Sequence, residues 1–95
     1  MTVSYHLEGE DYAWDEEKAR SNLAKHGVSF EEAAEVFHDP FYVPIDASVE
    51  QERREAIIGY SFAQRLLLVV HVERSPVTRI ISARPATRAE RRLYE

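Results

Sequence analysis

Apolar positions along this chain follow two different periods. Ala19, Leu23 and His26 recur at helical spacing, and Phe30, Ala33, Ala34 and Phe37 repeat it as an i, i+3, i+4, i+7 stripe. The boundaries of both segments carry helix signals. Asp15 is placed to cap the first helix, Glu16 and Glu17 suit the positive end of its dipole, and Gly27 supplies the left-handed residue that ends it after His26. Ser29 opens the second helix, Glu32 three residues on predicts a capping box, and Asp39-Pro40 stops it. Phe30 and Phe37 are expected to anchor that helix in the core.

Beyond residue 40 the period shortens to that of strands. "FYVPI" (41–45) reads as an edge strand, because Pro44 lacks a ladder donor. "REAIIGYSF" (54–62) and "RLLLVVHVE" (65–73) follow, joined by a turn at Ala63-Gln64. The second of these is apolar on both faces, so it should lie centrally. "VTRIISAR" (77–84) pairs next, after a turn at Ser75-Pro76. Thr87 and Glu90 then form a capping box for a short terminal helix, with Arg88, Arg91 and Arg92 on one face and Ala89 and Leu93 on another. This order predicts an α+β fold: two N-terminal helices, an antiparallel sheet of three to four strands and a C-terminal helix. Residues 1–11 read as a flexible leader to a single domain over 12–95.

Composition narrows the class. An apolar fraction of 44% and a charged fraction of 31% are those of an ordinary folded protein, and 95 residues leave room for one core. The absence of cysteine excludes a disulfide framework and a cysteine-ligated zinc. The four histidines show no metal-ligand spacing, and no glycine-rich phosphate loop is present, so neither metal nor cofactor is expected. Without a signal peptide or an apolar run of spanning length, the chain reads as cytoplasmic, with no membrane partner.

Charge is distributed unevenly. The net charge is −5, yet from Arg74 onward six arginines face only Glu90 and Glu95, a local balance of +4. Residues 1–73, with six basic against fifteen acidic side chains, carry −9. Such asymmetry suggests an anionic partner for one surface and a cationic partner for the other. Arginine as the sole basic residue of the tail favours planar contacts to phosphate or carboxylate.

Several of these residues could carry chemistry. Arg84 ends a strand, and Arg88, Arg91 and Arg92 follow on the helix; together they could bind phosphodiester oxygens and stabilise a pentacovalent phosphorane. The same arginines could equally pair with the chain's many carboxylates as a solvated face. Strand alternation places Arg79 on the face opposite Arg84. His71 shares a strand face with Arg65 and Glu73; with a pKa near neutrality it could serve as general base or acid, or simply be a satisfied strand histidine. Tyr94 could donate a proton, stack a base or pack.

Three stretches, "WDEEKARSNLAKHGVSFEEAAEVFHDP" (14–40), "IGYSFAQRLLLVVHVE" (58–73) and "RIISARPATRAERRLYE" (79–95), closely resemble the BrnT family of type II toxin–antitoxin toxins. The resemblance implies a RelE-like fold and a metal-independent, cofactor-free endoribonuclease that cleaves mRNA and inhibits translation. It implies a BrnA-type antitoxin with a ribbon-helix-helix domain, a two-plus-two complex, and contact with operator DNA only through that antitoxin. Its motifs carry over to Arg84, Arg88, Arg91 and Tyr94, and in the central strand to His71 and Arg65. Resemblance and residue reading together lead to the expectation of catalysis at Arg84, Arg88, His71 and Tyr94, and of RNA binding at Arg65, Arg79, Arg91 and Arg92. The competing reading is a non-catalytic antitoxin- or RNA-binding module.

Overall fold

In a computed structural model, which describes residues 1–46 and 54–95, the chain begins with a hairpin. Strand β1 (Thr2–Leu7) returns as β2 (Glu10–Asp15), with Leu7 opposite Glu10. Glu8 and Gly9 between them both take positive φ, 47° and 84°, the geometry a two-residue hairpin turn needs. Thr2–Leu7 and Glu10–Asp15 are therefore paired strands, where a flexible leader was expected over 1–11. Their signal was present: Val3, Tyr5 and Leu7 alternate with polar residues ahead of a glycine turn.

Helix α1 (Glu16–His26) and helix α2 (Phe30–Val36) come next. Asp15 accepts from the Lys18 amide, Gly27 adopts φ 70°, and Ser29 accepts from the Glu32 amide, as local sequence dictates. Two details differ from expectation. The Glu32 carboxylate turns away from its helix to Arg65 and Ser61, so the capping box is not closed. Leu23 is exposed, and α1 docks instead through Ala19 and the buried Asn22.

Strands β3 (Val43–Asp46), β4 (Glu55–Tyr60), β5 (Leu66–Arg74) and β6 (Val77–Pro85) precede helix α3 (Arg88–Tyr94). They complete a sheet in the order β1-β2-β6-β5-β4-β3, six strands among the described residues instead of three or four. The sheet is mixed: β2 runs parallel to β6, while every other pair is antiparallel. β5 is central and apolar on both faces, and β3, with Pro44, lies at an edge.

The main core lies between the sheet and α1–α2. Trp14, Phe30, Leu67, Val69, Ile80 and Ala83 fill it. Phe37 is only partly buried, beyond the end of α2. A smaller cluster covers the other face, where Ile58, Leu66 and Leu68 meet Tyr60, Ala86 and Tyr94. α3 rests there through Glu90 and Tyr94, whereas Ala89 and Leu93 point to solvent. Among the described residues no helix is long and apolar enough to cross a membrane.

Candidate functional site

The β5–β6 ladder decides which side chains share a surface. Ser82 opposes Val70, but Ile80 opposes His71, so Ile81 is an extra residue in β6. That bulge reverses the alternation expected between Arg79 and Arg84. Arg79 opposes Val72 and Arg84 opposes Leu68, and those two β5 positions share a face. Arg79 and Arg84 thus lie on one side of the sheet, the side that carries α3.

Arg84 does not stand free there. Its two terminal nitrogens donate to the two Glu90 oxygens at 2.7 and 2.8 Å. Glu90 also accepts from the Thr87 amide at 2.9 Å, which closes the capping box of α3. Arg84 first, and the Thr87 amide after it, hold the Glu90 carboxyl down to about 2. One carboxylate thereby caps α3 and fastens it to the sheet.

Arg65 is likewise engaged. It donates to both Glu32 oxygens and, at 2.9 Å, to the Gly27 carbonyl that follows α1. For Arg84 the carboxylate pairing considered from sequence is what the structure holds, and Arg65, expected at RNA, is paired in the same way. Arg79, Arg88, Arg91 and Arg92 make no ion pair among the described residues, and the three on α3 are exposed.

Tyr94 donates its hydroxyl to Asp39 Oδ2 at 2.8 Å and packs edge-on against Tyr60. Burial, and then Asp39, push the Tyr94 phenol up to about 12, so it stays protonated at neutral pH. Burial would raise the Asp39 carboxyl, but donation from the Tyr60 and Phe41 amides and from Tyr94 keeps it below its ordinary value. Asp39, which sequence reasoning used only as a helix stop, ties α2, the start of β4's turn and α3 together.

His71 lies on the opposite face of the sheet. It is 5% exposed and packs edge-on against Phe37, with ring centroids 4.8 Å apart. Its Nε2 stands 3.8 Å from Glu55, too far for a hydrogen bond, and its buried Nδ1 has no well-formed hydrogen bond. Burial lowers its pKa below the ordinary histidine value, against the upward pull of Glu73, Glu55 and the Val69 backbone. It is therefore neutral at pH 7, and the four residues assigned to catalysis divide between two faces: His71 on one, and Arg84, Arg88 and Tyr94 on the side of α3.

Sequence reasoning missed Asn22. Its amide donates to the Val28 and Ala83 carbonyls at 3.0 and 2.8 Å, and its oxygen accepts from the Ala83 amide at 3.1 Å. β2 pairs with β6 only as far as Arg79, and Asn22 takes over the exposed β6 edge beyond it. Its place in the Ser-Asn-Leu-Ala-Lys-His-Gly string was the available hint. Among the described residues no group of three or more histidine, aspartate or glutamate side chains is arranged to hold a metal ion.

Residues 14–90 match the family described as the ribonuclease toxin, BrnT, of type II toxin-antitoxin systems. The chain belongs to that family. The match ends at Glu90, so Arg91, Arg92 and Tyr94 lie beyond it, as does β1. Among solved structures, the 1.1 Å crystal structure of the Brucella abortus ribonuclease toxin, BrnT, is similar with a TM-score of 0.60 and 24% identity. The likeness covers 79% of this chain and 94% of that one, and it establishes the fold as that of BrnT. The three- to four-stranded RelE-like arrangement does not describe it. No curated protein matches the chain.

Proposed function

We propose that this protein is a metal-independent endoribonuclease toxin that cleaves mRNA and thereby inhibits translation. We propose further that a BrnA-type ribbon-helix-helix antitoxin neutralises it in a two-plus-two complex. The observation that carries the ribonuclease reading is the set of unpaired arginines on and near α3, in a chain of a ribonuclease toxin family. Exposed guanidiniums that no carboxylate occupies are free to take phosphodiester oxygens.

In this reading the RNA 2′-hydroxyl attacks the adjacent phosphorus while the bond to the 5′-oxygen breaks. The hydroxyl proton ends on the departing 5′-oxygen, leaving a 2′,3′-cyclic phosphate. Arg88, Arg91 and Arg92 hold the strand and offset the charge that develops on phosphorus. Arg84 acts first as a positioning residue, since its fork is spent on Glu90. Tyr94, protonated and aimed at Asp39, can donate a proton only by giving up that contact.

A non-catalytic RNA- or antitoxin-binding module is the second reading. It is favoured by the separation of His71 from the arginine face, which leaves Arg84 without that histidine as a neighbouring base. Salt dependence of RNA binding, read together with product analysis, tests both. About four phosphate contacts to single-stranded RNA give a log–log slope of about −3, so affinity falls about fifty-fold between about 50 and 200 mM salt. Salt-independent binding refutes the phosphate contacts. Binding with this slope but no cyclic-phosphate product selects the non-catalytic module.

A further inference from the structure

On the His71 face, α2 ends at Val36, short of the far end of the sheet. A cleft of about 410 Å³ opens there, walled by Phe37, Tyr42 and Pro44. Its floor is one transverse row of the sheet: Asp46 opposes Glu55, and Glu55 opposes His71. Directly opposed residues share a face, so these three polar side chains stand side by side on adjacent strands. Glu73, two residues along β5, adds another carboxylate to the lining.

The unusual member of this row is His71. His71 is almost fully buried and neutral, yet neither ring nitrogen has a well-formed partner. A buried polar group without a partner carries a desolvation cost that a ligand can relieve. The ring's N–H has the Glu55 and Glu73 carboxylates and the Val69 backbone around it as acceptors, but its lone pair faces no donor among these, so a donor is the group that the site lacks. It must also be cationic and partly apolar, since the walls are aromatic and aliphatic while the floor is acidic. A phosphate-bearing ligand would meet carboxylates there and be repelled.

We infer that this cleft receives an arginine side chain from a protein partner, the antitoxin that a type II system supplies. The inference rests on the antitoxin reading above and gives it a location. A planar guanidinium can lie against Phe37 and Tyr42 while its fork donates to Glu55 and to the His71 ring. The volume is within the range that accommodates small guests. The acidic body of the chain, at −9 over residues 1–73, attracts such a cationic partner, whereas the arginines of α3 serve RNA. Antitoxin and substrate would then approach opposite faces of the sheet.

The first test uses N-acetylarginine amide as the probe and N-acetylcitrulline amide as its uncharged isostere, with the His71 ring followed by NMR. The arginine compound is expected to move the His71 resonance saturably and the citrulline compound to leave it in place. Glu55→Gln should weaken the arginine effect at least about ten-fold. Glu55 is 56% exposed, so that variant should fold normally. An equal response to both compounds, or none to either, overturns the cleft as a guanidinium site, and so does movement of the resonance by RNA.

The second test measures the complex with the antitoxin encoded beside the toxin. The Glu55→Gln, Glu73→Gln protein is expected to bind at least about ten-fold more weakly, and Arg92→Ala to bind like the parent. If the parent itself forms no complex, the antitoxin reading fails. A complex of undiminished affinity with the double variant overturns only the placement in this cleft.

Discussion

Arg84 and Glu90 meet in a two-point contact, 2.7 and 2.8 Å, and the same Glu90 closes the N-terminus of the helix that bears the open arginines. The position of that helix therefore depends on this carboxylate at its start and on Tyr94 at its end. α3 is seven residues long and has no fully buried side chain, so little else than Tyr94 holds it.

An acid-sensitive α3 follows. Glu90 has its carboxyl lowered from 4.5 to about 2, so its contribution is fully present above about 4.5 and is lost as pH falls toward 2. Circular dichroism or amide exchange of α3 should show fraying across that window before the sheet unfolds. Glu90→Gln should show the frayed helix at neutral pH and no acid transition of its own. A helix equally ordered at pH 2 and pH 7 would contradict this account.

Substitutions at Arg84 and Arg92 should separate positioning from phosphate contact. Arg84→Ala is expected to abolish growth inhibition while the β-sheet and antitoxin binding persist. Arg84→Lys keeps charge but loses the planar fork, and should restore only part of the activity. Arg92→Ala should weaken RNA binding modestly and reduce the log–log salt slope by about 0.7. Full toxicity of Arg84→Lys would mean that a point charge suffices at this position.

Asn22→Ala should destabilise the protein more than its small size change suggests. It strips hydrogen bonds from the Val28 carbonyl and from both backbone groups of Ala83, all in a buried setting. The expected cost is at least about 3 kcal/mol, built from three unsatisfied groups at about 1–3 kcal/mol each. Chemical denaturation measures it directly. A change below about 0.5 kcal/mol would show that water replaces the side chain at the β6 edge.

Phe30→Ala and Phe37→Ala should differ, although the stripe reads them alike. Phe30 is fully buried against Trp14, so its truncation should cost about 3–5 kcal/mol. Phe37 is partly exposed beside His71 and Tyr12, and its truncation should cost less, about 1–3 kcal/mol. Paired thermal melts decide the order. The reverse order would place the helix in a different phase from the one described.

Gly59→Ala offers a test of close packing between α2 and β4. An added methyl would meet Val36 Cγ1 at 3.0 Å, Asp39 Oδ2 at 3.1 Å and Tyr42 Cβ at 3.1 Å. The expected loss is about 1–3 kcal/mol, with Asp39 displaced from Tyr94 as a visible consequence. An unchanged melting temperature would show that the Asp39 corner yields freely.

The sequence by itself determined what depends on a few neighbouring residues. The caps at Asp15, Ser29 and Thr87, the left-handed Gly27 and the apolar β5 are set by local hydrogen bonds and side-chain period. The closing arginine cluster and the family signature were legible for the same reason, being contiguous. Tertiary structure alone decided relations between distant residues. The bulge at Ile81 moved Arg79 to the side of Arg84, because one unpaired residue inverts every side chain beyond it. Glu32 left its own helix for Arg65, thirty-three positions away, since a guanidinium fork binds a carboxylate more strongly than a helix amide does. His71 joined Glu55 and Asp46 only through strand pairing, and Asn22 found Ala83 only where β2 stops pairing with β6. Period and propensity fix which way each segment folds, but register fixes which side chains meet, and register is a property of two strands at once.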